Sequence, residues 1–189
     1  MGELPLHAEH YRALVSVGFF LAAVHAWRKL SPYFAACWFG SGLVFGWFWN
    51  QGDALPETVL LPALLVYQAA AVTKGLVETR DRVRGNHLFH VLLTGLLTGV
   101  LALPWEAAAR AMSWELPRRA TRDLWGLPPD ALGGVGLDAT LLWVLLGTAF
   151  YGVYKLLDHT GLPRWLQTLA IFGVMPWLPR LVGAAHAAL

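Results

Sequence analysis

Long apolar stretches alternate with short polar connections along most of the chain. A membrane-spanning helix needs about 20 predominantly apolar residues, and six stretches approach or reach that length. They cover approximately residues 13–27, 32–49, 58–77, 88–105, 137–157 and 165–182. The pattern predicts an all-α fold, a polytopic membrane helix bundle of about six transmembrane helices that forms a single integral membrane domain over residues 1–189.

Glycines mark two of these spans as close-packing helices. Gly40, Gly42 and Gly46 give the second span a face of small residues, and Gly95 and Gly99 form a GxxxG pair in the fourth. Such faces let the backbone of a neighbouring helix approach closely. We therefore expect both spans to pack tightly against other helices of the bundle.

Two segments depart from the simple pattern. Between Glu106 and Pro117, apolar residues alternate with Arg and Glu at roughly helical spacing. This spacing favours an amphipathic helix that lies at the membrane interface between spans four and five. In the sixth span, Pro176 and Pro179 predict a kink, because proline removes a helical hydrogen bond.

The composition agrees with a membrane protein. Hydrophobic residues make up 57% of the chain and charged residues 14%, which is far from the balance of a soluble domain. The 14 Lys and Arg are spread over several connections and the net charge is only +2, so we expect no nucleic-acid partner. Cys37 is the only cysteine, which excludes an intrachain disulfide and a cysteine-based zinc site within one chain.

Basic residues in the odd-numbered connections indicate an orientation. These connections hold Arg28, Lys29, Lys74, Arg80, Arg82, Arg84, Lys155 and Arg164. The positive-inside rule places them in the cytoplasm, so we expect a bacterial cytoplasmic membrane with both termini on the non-cytoplasmic side. The longest connection argues for the opposite orientation, since it holds Arg110, Arg118, Arg119 and Arg122.

The same span count sorts the polar residues into two groups on opposite sides of the membrane. One side holds His25, Glu78, Asp81, His87, His90, Asp158 and His159. The other side holds Asn50, Asp53, Glu57, Glu106 and Asp138. Each group is a candidate site.

Histidines are the main candidates on the first side. His87 and His90 lie three residues apart at the start of a helix, so they share a face and could act in catalysis or bind one metal with Glu78 or Asp81. A single HxxH pair is too little for a di-iron oxygenase or desaturase, and a haem would need His25 as an opposing ligand. Interfacial histidines bonded to carbonyls or water are the simpler interpretation, and the sequence assigns neither a metal nor a cofactor.

Carboxyl groups are the main candidates on the second side. Asp53 and Glu57, joined by Glu106 or Asp138, could supply a general acid beside an apolar chamber. The aromatic rings of Trp49 and Trp105 would then stabilise a carbocation in an isoprenoid substrate. The alternative is that these acids only complement the ends of helices.

The basic loop suggests a substrate contact. Arg80 and Arg84 could recognise a phosphate-bearing lipid or an isoprenoid diphosphate. The alternative is that they only fix the loop on the cytoplasmic side. Together with Trp49 and Trp105, they are the candidate substrate-binding residues.

Three functions remain open from the sequence. The motifs of nucleotide-binding enzymes and hydrolases are absent. The leading hypothesis is a membrane-embedded enzyme that acts on a lipid or isoprenoid substrate through polar residues at one membrane side. The second is a non-catalytic or cofactor-binding subunit, or an assembly factor, of a larger membrane complex with partner membrane subunits. The third is a small-molecule transporter, which is disfavoured because the middles of the spans lack charged residues.

Overall fold

A computed structural model describes residues 8–49, 56–78, 85–111 and 137–188. For Ala8, residues 56–58, Glu78 and residues 109–111 it describes only the helical backbone. The described residues form α1 (Ala8–Lys29), α2 (Pro32–Trp49), α3 (Pro56–Glu78), α4 (His87–Ala111), α5 (Leu137–Asp158), α6 (Arg164–Val174) and α7 (Leu178–Ala188). No strand occurs among these residues, so the predicted all-α fold is confirmed.

Helix α3 lies at the centre of the bundle, where it packs against α1, α2, α4 and α5. The side chains of Ala63, Leu64, Leu65 and Val66 have no exposed surface. Successive helical residues point about 100° apart, so four buried neighbours in a row mean that α3 is enclosed on every side along this stretch. Toward its end the helix is open, with Val72 and Leu76 exposed.

Glycines set the distance between α2 and α3. A Cβ at Gly42 would overlap Ala63, and a Cβ at Gly46 would lie 2.6 Å from the Cα of Val59. Moving four residues forward along α2 therefore moves the contact four residues back along α3, so the two helices are antiparallel. The predicted close packing of the second span is confirmed.

The most extensive helix contact joins α4 and α5. A Cβ at Gly95 would meet Thr148 and the carbonyl oxygen of Val144, and a Cβ at Gly99 would meet Val144 and Thr140. Both glycines therefore allow close backbone approach, as their GxxxG spacing predicted.

The number of helices that could cross a membrane is lower than predicted. Among the described residues, α3, α4 and α5 are long and apolar enough, and α6 with α7 makes a fourth if the bent pair counts as one span. The other two predicted spans, α1 and α2, form where expected but are less apolar than this requires. Helix α1 carries charged residues and histidines at both ends, and the apolar surface of α2 comes largely from aromatic rings and glycines. Several apolar helices of this kind are consistent with an integral membrane protein.

The sixth predicted span is two helices rather than one. Helices α6 and α7 meet at a turn that contains Pro176, and their axes differ by 51°, which confirms the predicted kink. The pair also extends beyond residue 182, to Ala188. At its start, the Tyr33 hydroxyl donates to the carbonyl of Arg164; near its end, His186 contacts Asp138. The pair therefore runs from one end of the bundle to the other.

Over the described residues, the predicted interfacial helix is the end of α4 and not a helix of its own. Helix α4 continues without a break from the predicted span through Glu106 to Ala111, and residues 112–136 lie outside the described part. Good helix formers such as Ala107 and Ala108 extend the span past Pro104.

Polar and apolar side chains are distributed as in a protein surrounded by lipid. Large apolar side chains are exposed on every helix, among them Phe20, Trp47, Val72, Leu96, Leu156, Leu169 and Leu181. By contrast, the hydroxyl-bearing side chains of Ser41, Thr73, Thr94 and Thr98 have no exposed surface. Thr94 donates to Thr73 over 3.1 Å, so a polar contact joins α3 and α4 inside the bundle.

Replacing Gly46 by Ala should destabilise the bundle, because the added Cβ would overlap the backbone of Val59. We expect a loss of about 1–3 kcal/mol in the free energy of unfolding. Unfolding in detergent by titration with SDS, followed by circular dichroism, measures this change. The matched control is Gly75→Ala, where a Cβ meets nothing within 4 Å. Equal stability of the two variants would contradict the close α2–α3 contact.

Candidate functional site

Two carboxyl groups are buried at one end of the bundle. Glu106 in α4 is 5% exposed and Asp138 in α5 is 2% exposed. Asp138 lies in the first turn of α5, while Glu106 lies in the last two turns of the antiparallel α4. The two acids therefore share one end, which we name the acid end.

Glu106 is held by the neighbouring helix. The indole Nε1 of Trp143 donates a 2.8 Å hydrogen bond to Oε1 of Glu106, and the contact is buried. Trp143 lies five residues after Asp138, which is about 7.5 Å along the axis of α5. Helix α5 thus carries one acid and fixes the other.

Asp138 is held by the C-terminal helix of the bundle. Nε2 of His186 lies 2.7 Å from Oδ1 of Asp138, and both side chains are largely buried. Asp138 stands in the first turn of α5 and His186 in the last turn of α7. Acidic residues are favoured in the first turn of a helix and basic residues in the last, so each side chain stands at a helix end that suits it.

Aromatic side chains line the same end. Trp105 lies edge-on to the fully buried Tyr11, with ring centroids 5.9 Å apart. Trp49 at the end of α2 is buried and stacks on Phe45 at 5.7 Å. The candidate residues Trp49 and Trp105 therefore both lie at the acid end, although no direct contact between them is found among the described residues.

The histidines of the opposite end are also brought together. This end carries Arg28, Lys29, Lys74, Lys155 and Arg164 and is named the basic end. The rings of His87 and His159 lie 4.1 Å apart, and those of His87 and His90 lie 6.3 Å apart. The sequence grouped these three histidines, and the contacts show that they lie together at one end of the bundle.

The geometry of the basic end does not form a metal centre from described residues. No group of three or more His, Cys, Asp or Glu within the described ranges could hold a metal ion. Nδ1 of His159 donates to the carbonyl of Lys155 over 2.8 Å. Nε2 of His90 is buried and has no hydrogen-bond partner among the described residues. A catalytic role for His87 and His90 stays a prediction.

His25 makes a different contact from the one considered for a haem. Its Nδ1 is hydrogen-bonded to the hydroxyl of Tyr67 over 2.7 Å. Tyr67 is buried in the central helix α3. In the part of the chain that is described, no contact joins His25 to His87 or His90.

Several candidate residues fall outside the described part of the chain. Asp53, Arg80 and Arg84 belong to the connections before and after α3, which are not described. Glu57 lies in the first turn of α3, and its side chain is not described. Their roles as acids and as substrate-binding residues stay predictions.

His186 and Trp143 are the members of the acid end that sequence reasoning missed. His186 is 48 residues from Asp138 along the chain, and a single histidine in an apolar helix carries no sign of its partner. Trp143 is one of ten tryptophans. Its position about one and a half turns after Asp138 indicates a contact with Glu106 only if α4 is already known to pack beside α5.

The chain was compared with known proteins, and no protein-family model, no curated protein and no solved structure matches it. A function must therefore be inferred from the residues themselves.

Replacing His186 by Ala should destabilise the protein, because the buried carboxyl group of Asp138 would lose its 2.7 Å contact with Nε2 of His186. Leaving a buried polar group without such a partner costs about 1–3 kcal/mol. The additional change Asp138→Asn should restore part of the loss, since it removes the carboxyl group that has lost this contact. Thermal or SDS-induced unfolding of both single variants and the double variant measures the coupling, expected at about 1–3 kcal/mol. Strictly additive effects would mean that the two side chains do not interact.

Proposed function

We propose that this protein is an integral membrane enzyme that transforms a lipid or isoprenoid substrate by acid–base chemistry at the acid end. The observation that carries the proposal is the burial of Glu106 and Asp138 at one end of an otherwise apolar bundle. Buried ionisable groups are costly in such surroundings and are a sign of a functional site. Each acid is fixed by a side chain from another helix, which is the preorganisation that catalysis requires.

Glu106 is the proposed proton donor. Protonation of one carbon of an isoprenoid double bond breaks the π bond and leaves a carbocation on the neighbouring carbon. The carboxylate left on Glu106 then removes a proton from an adjacent carbon, so the double bond moves and Glu106 is restored. If water adds to the cation instead, the resulting oxonium ion loses a proton to the Glu106 carboxylate, which gives an alcohol and restores Glu106. Neither route needs an oxidant or a reductant.

The neighbouring groups have supporting roles in this scheme. The hydrogen bond from Trp143 sets the direction of the Glu106 carboxyl group. Aromatic faces attract cations, and Trp105, beside Glu106 in α4, offers one at this end. The Asp138–His186 pair holds α7 against α5. The exposed apolar helix faces would lie against the bilayer, in which a lipid substrate is dissolved.

Deuterium incorporation tests the proposed chemistry. Purified protein in phosphatidylcholine vesicles is incubated in D2O with squalene or a polyprenol, and the lipids are analysed by mass spectrometry. We expect deuterated, isomerised or hydrated product from the wild type. Glu106→Gln should lower the rate by about 100-fold or more, because general acid catalysis contributes that much.

The matched control is Glu9→Gln, which changes an exposed acid in the first turn of α1, at the acid end of the bundle. It should keep the wild-type rate. If the wild type leaves these probes and a total membrane lipid extract unchanged, the enzyme proposal fails.

The membrane placement belongs to the same proposal. We propose that all six apolar segments cross a bacterial cytoplasmic membrane, with α6 and α7 as one broken span. The basic end would lie at the cytoplasmic surface, because the positive-inside rule favours it there. The chain's termini would lie on the non-cytoplasmic side, beside the acid end.

Cysteine labelling tests this topology. On a Cys37→Ser background, His10→Cys places a thiol at an exposed position of the acid end and Gly85→Cys places one at the basic end. In intact bacterial cells a membrane-impermeant maleimide should label only the first. The second should react only after the membrane is permeabilised. The reverse result would invert the orientation, and labelling of both in intact cells would refute the spanning topology.

A second candidate is a subunit or assembly factor of a larger membrane complex. It is favoured by the large rings of Phe20, Trp47 and Phe48, which are exposed on α1 and α2. Aromatic side chains are enriched in the buried cores of protein interfaces. Native mass spectrometry after gentle extraction from the membrane distinguishes the two, since a subunit stays with its partner in fixed proportion.

A further inference from the structure

The outward face of α6 and α7 is apolar except at one position. At helical spacing it presents Trp165, Leu169, Gly173, Trp177, Leu181 and Ala184, all of them exposed. Arg180 is exposed in the same stripe, next to Leu181 and one turn from Trp177. An arginine on an apolar outer surface is therefore the feature that needs a physical reason.

Arg180 lies deep between the two ends of the bundle. It is six residues before His186, which is about 9 Å along the axis of α7. His186 pairs with Asp138 in the first turn of α5, where α5 reaches the acid end. Since the apolar core of a bilayer is about 30 Å thick, Arg180 would lie well inside it. The other charged residues of the described helices lie in the first or last two turns of a span.

The side chain of Arg180 is turned toward the middle of the bundle rather than toward the acid end. Helical side chains lean toward the N-terminus of their helix, and the N-terminus of α7 is the break in the middle of the pair. Accordingly, the guanidinium carbon lies 5.2 Å from the centroid of the Trp177 ring. The direction of α7 therefore points the Arg180 side chain away from the nearer membrane surface, which a long basic side chain would otherwise reach for.

No described group neutralises this charge. Among the described residues, no carboxylate forms an ion pair with Arg180. Nor could a second copy of the chain supply one from its described residues, because Glu106 and Asp138 are buried and Glu9 and Asp158 lie at the ends of helices. A phospholipid phosphate lies at the surface of the bilayer, outside the apolar core. The depth therefore favours an acidic side chain on another membrane-spanning protein.

We propose that the stripe of α6 and α7 around Arg180 and Trp177 docks a transmembrane helix of a partner protein that carries Asp or Glu within its apolar stretch. Charge complementarity at this depth selects the partner. Trp and Arg are also the residues most enriched among the energetically dominant contacts of interfaces. Leu181 and Gly173 beside them offer an apolar contact and room for close approach. The inference rests on the membrane placement proposed above and not on the acid chemistry.

A designed peptide tests the docking site. The probe is a single-span Leu–Ala helix with one Glu near its middle, and its partner control carries Gln instead. Association with labelled protein in phosphatidylcholine vesicles is followed by fluorescence energy transfer. We expect the Glu peptide to bind the wild type about tenfold more tightly than it binds Arg180→Gln, as a polar contact between membrane helices allows. The Gln peptide should bind both alike.

Arg164→Gln is the matched control variant, since it removes an exposed arginine from the basic end of the same helix pair. It should bind the Glu peptide like the wild type. Equal binding of the two peptides to the wild type would overturn the proposal. So would selective retention of spin-labelled phosphatidylglycerol by the wild type over Arg180→Gln without a preference for the Glu peptide, because the occupant would then be a lipid head group.

A depth measurement separates this inference from the membrane placement. Leu181→Cys on the Cys37→Ser background is spin-labelled, and its accessibility to oxygen and to a water-soluble nickel complex is compared. Access for nickel would refute both the membrane placement and the docking site. Access for oxygen alone, together with equal peptide binding, would leave the placement intact and refute only the docking site.

Discussion

The enclosure of α3 is the constraint on which the rest of the bundle depends. Its consecutive residues Ala63 to Val66 are all fully buried, so four helices must surround it. Two of them can approach closely because the contact residues are small. Gly42 and Gly46 bring the backbone of α2 against that of α3, and Gly18 in α1 accommodates Leu64. Once α3 is surrounded, the connections fix which helix ends lie together.

In the proposed membrane placement, apolar surface gains little by moving from lipid into the protein. Association must then come from dispersion contacts and from polar contacts between helices. The α4–α5 interface has both. Gly95 faces Thr148 and Gly147 faces Thr98 in close contact, and Trp143 of α5 donates to Glu106 of α4. The Thr98 hydroxyl donates within its own helix, to the carbonyl of Thr94 over 2.8 Å. The candidate site therefore depends on the close packing of α4 against α5.

The sequence contained most of the fold but little of the site. Apolar length located the helices, glycine spacing indicated which would pack closely, and Pro176 marked the break between α6 and α7. These are local properties. The contact between Asp138 and His186, which lie 48 residues apart, depends on where α7 packs against α5. No local sequence pattern predicts that position. Likewise, the sixth segment is predicted to end at residue 182, and only its extension to Ala188 shows that Arg180 lies eight residues before the end of α7.

Helix α7 makes its two polar contacts on different sides. Residues 180 and 186 are six positions apart, which places them about 120° apart around a helix. His186 therefore faces inward to Asp138, while Arg180 faces outward over Trp177. Such a helix of three turns moves largely as one body, so the acid end and the outer stripe cannot be repositioned independently. The bend at Pro176 separates α7 from α6, which is tied to the opposite end of the bundle by the hydrogen bond from the Tyr33 hydroxyl to the carbonyl of Arg164.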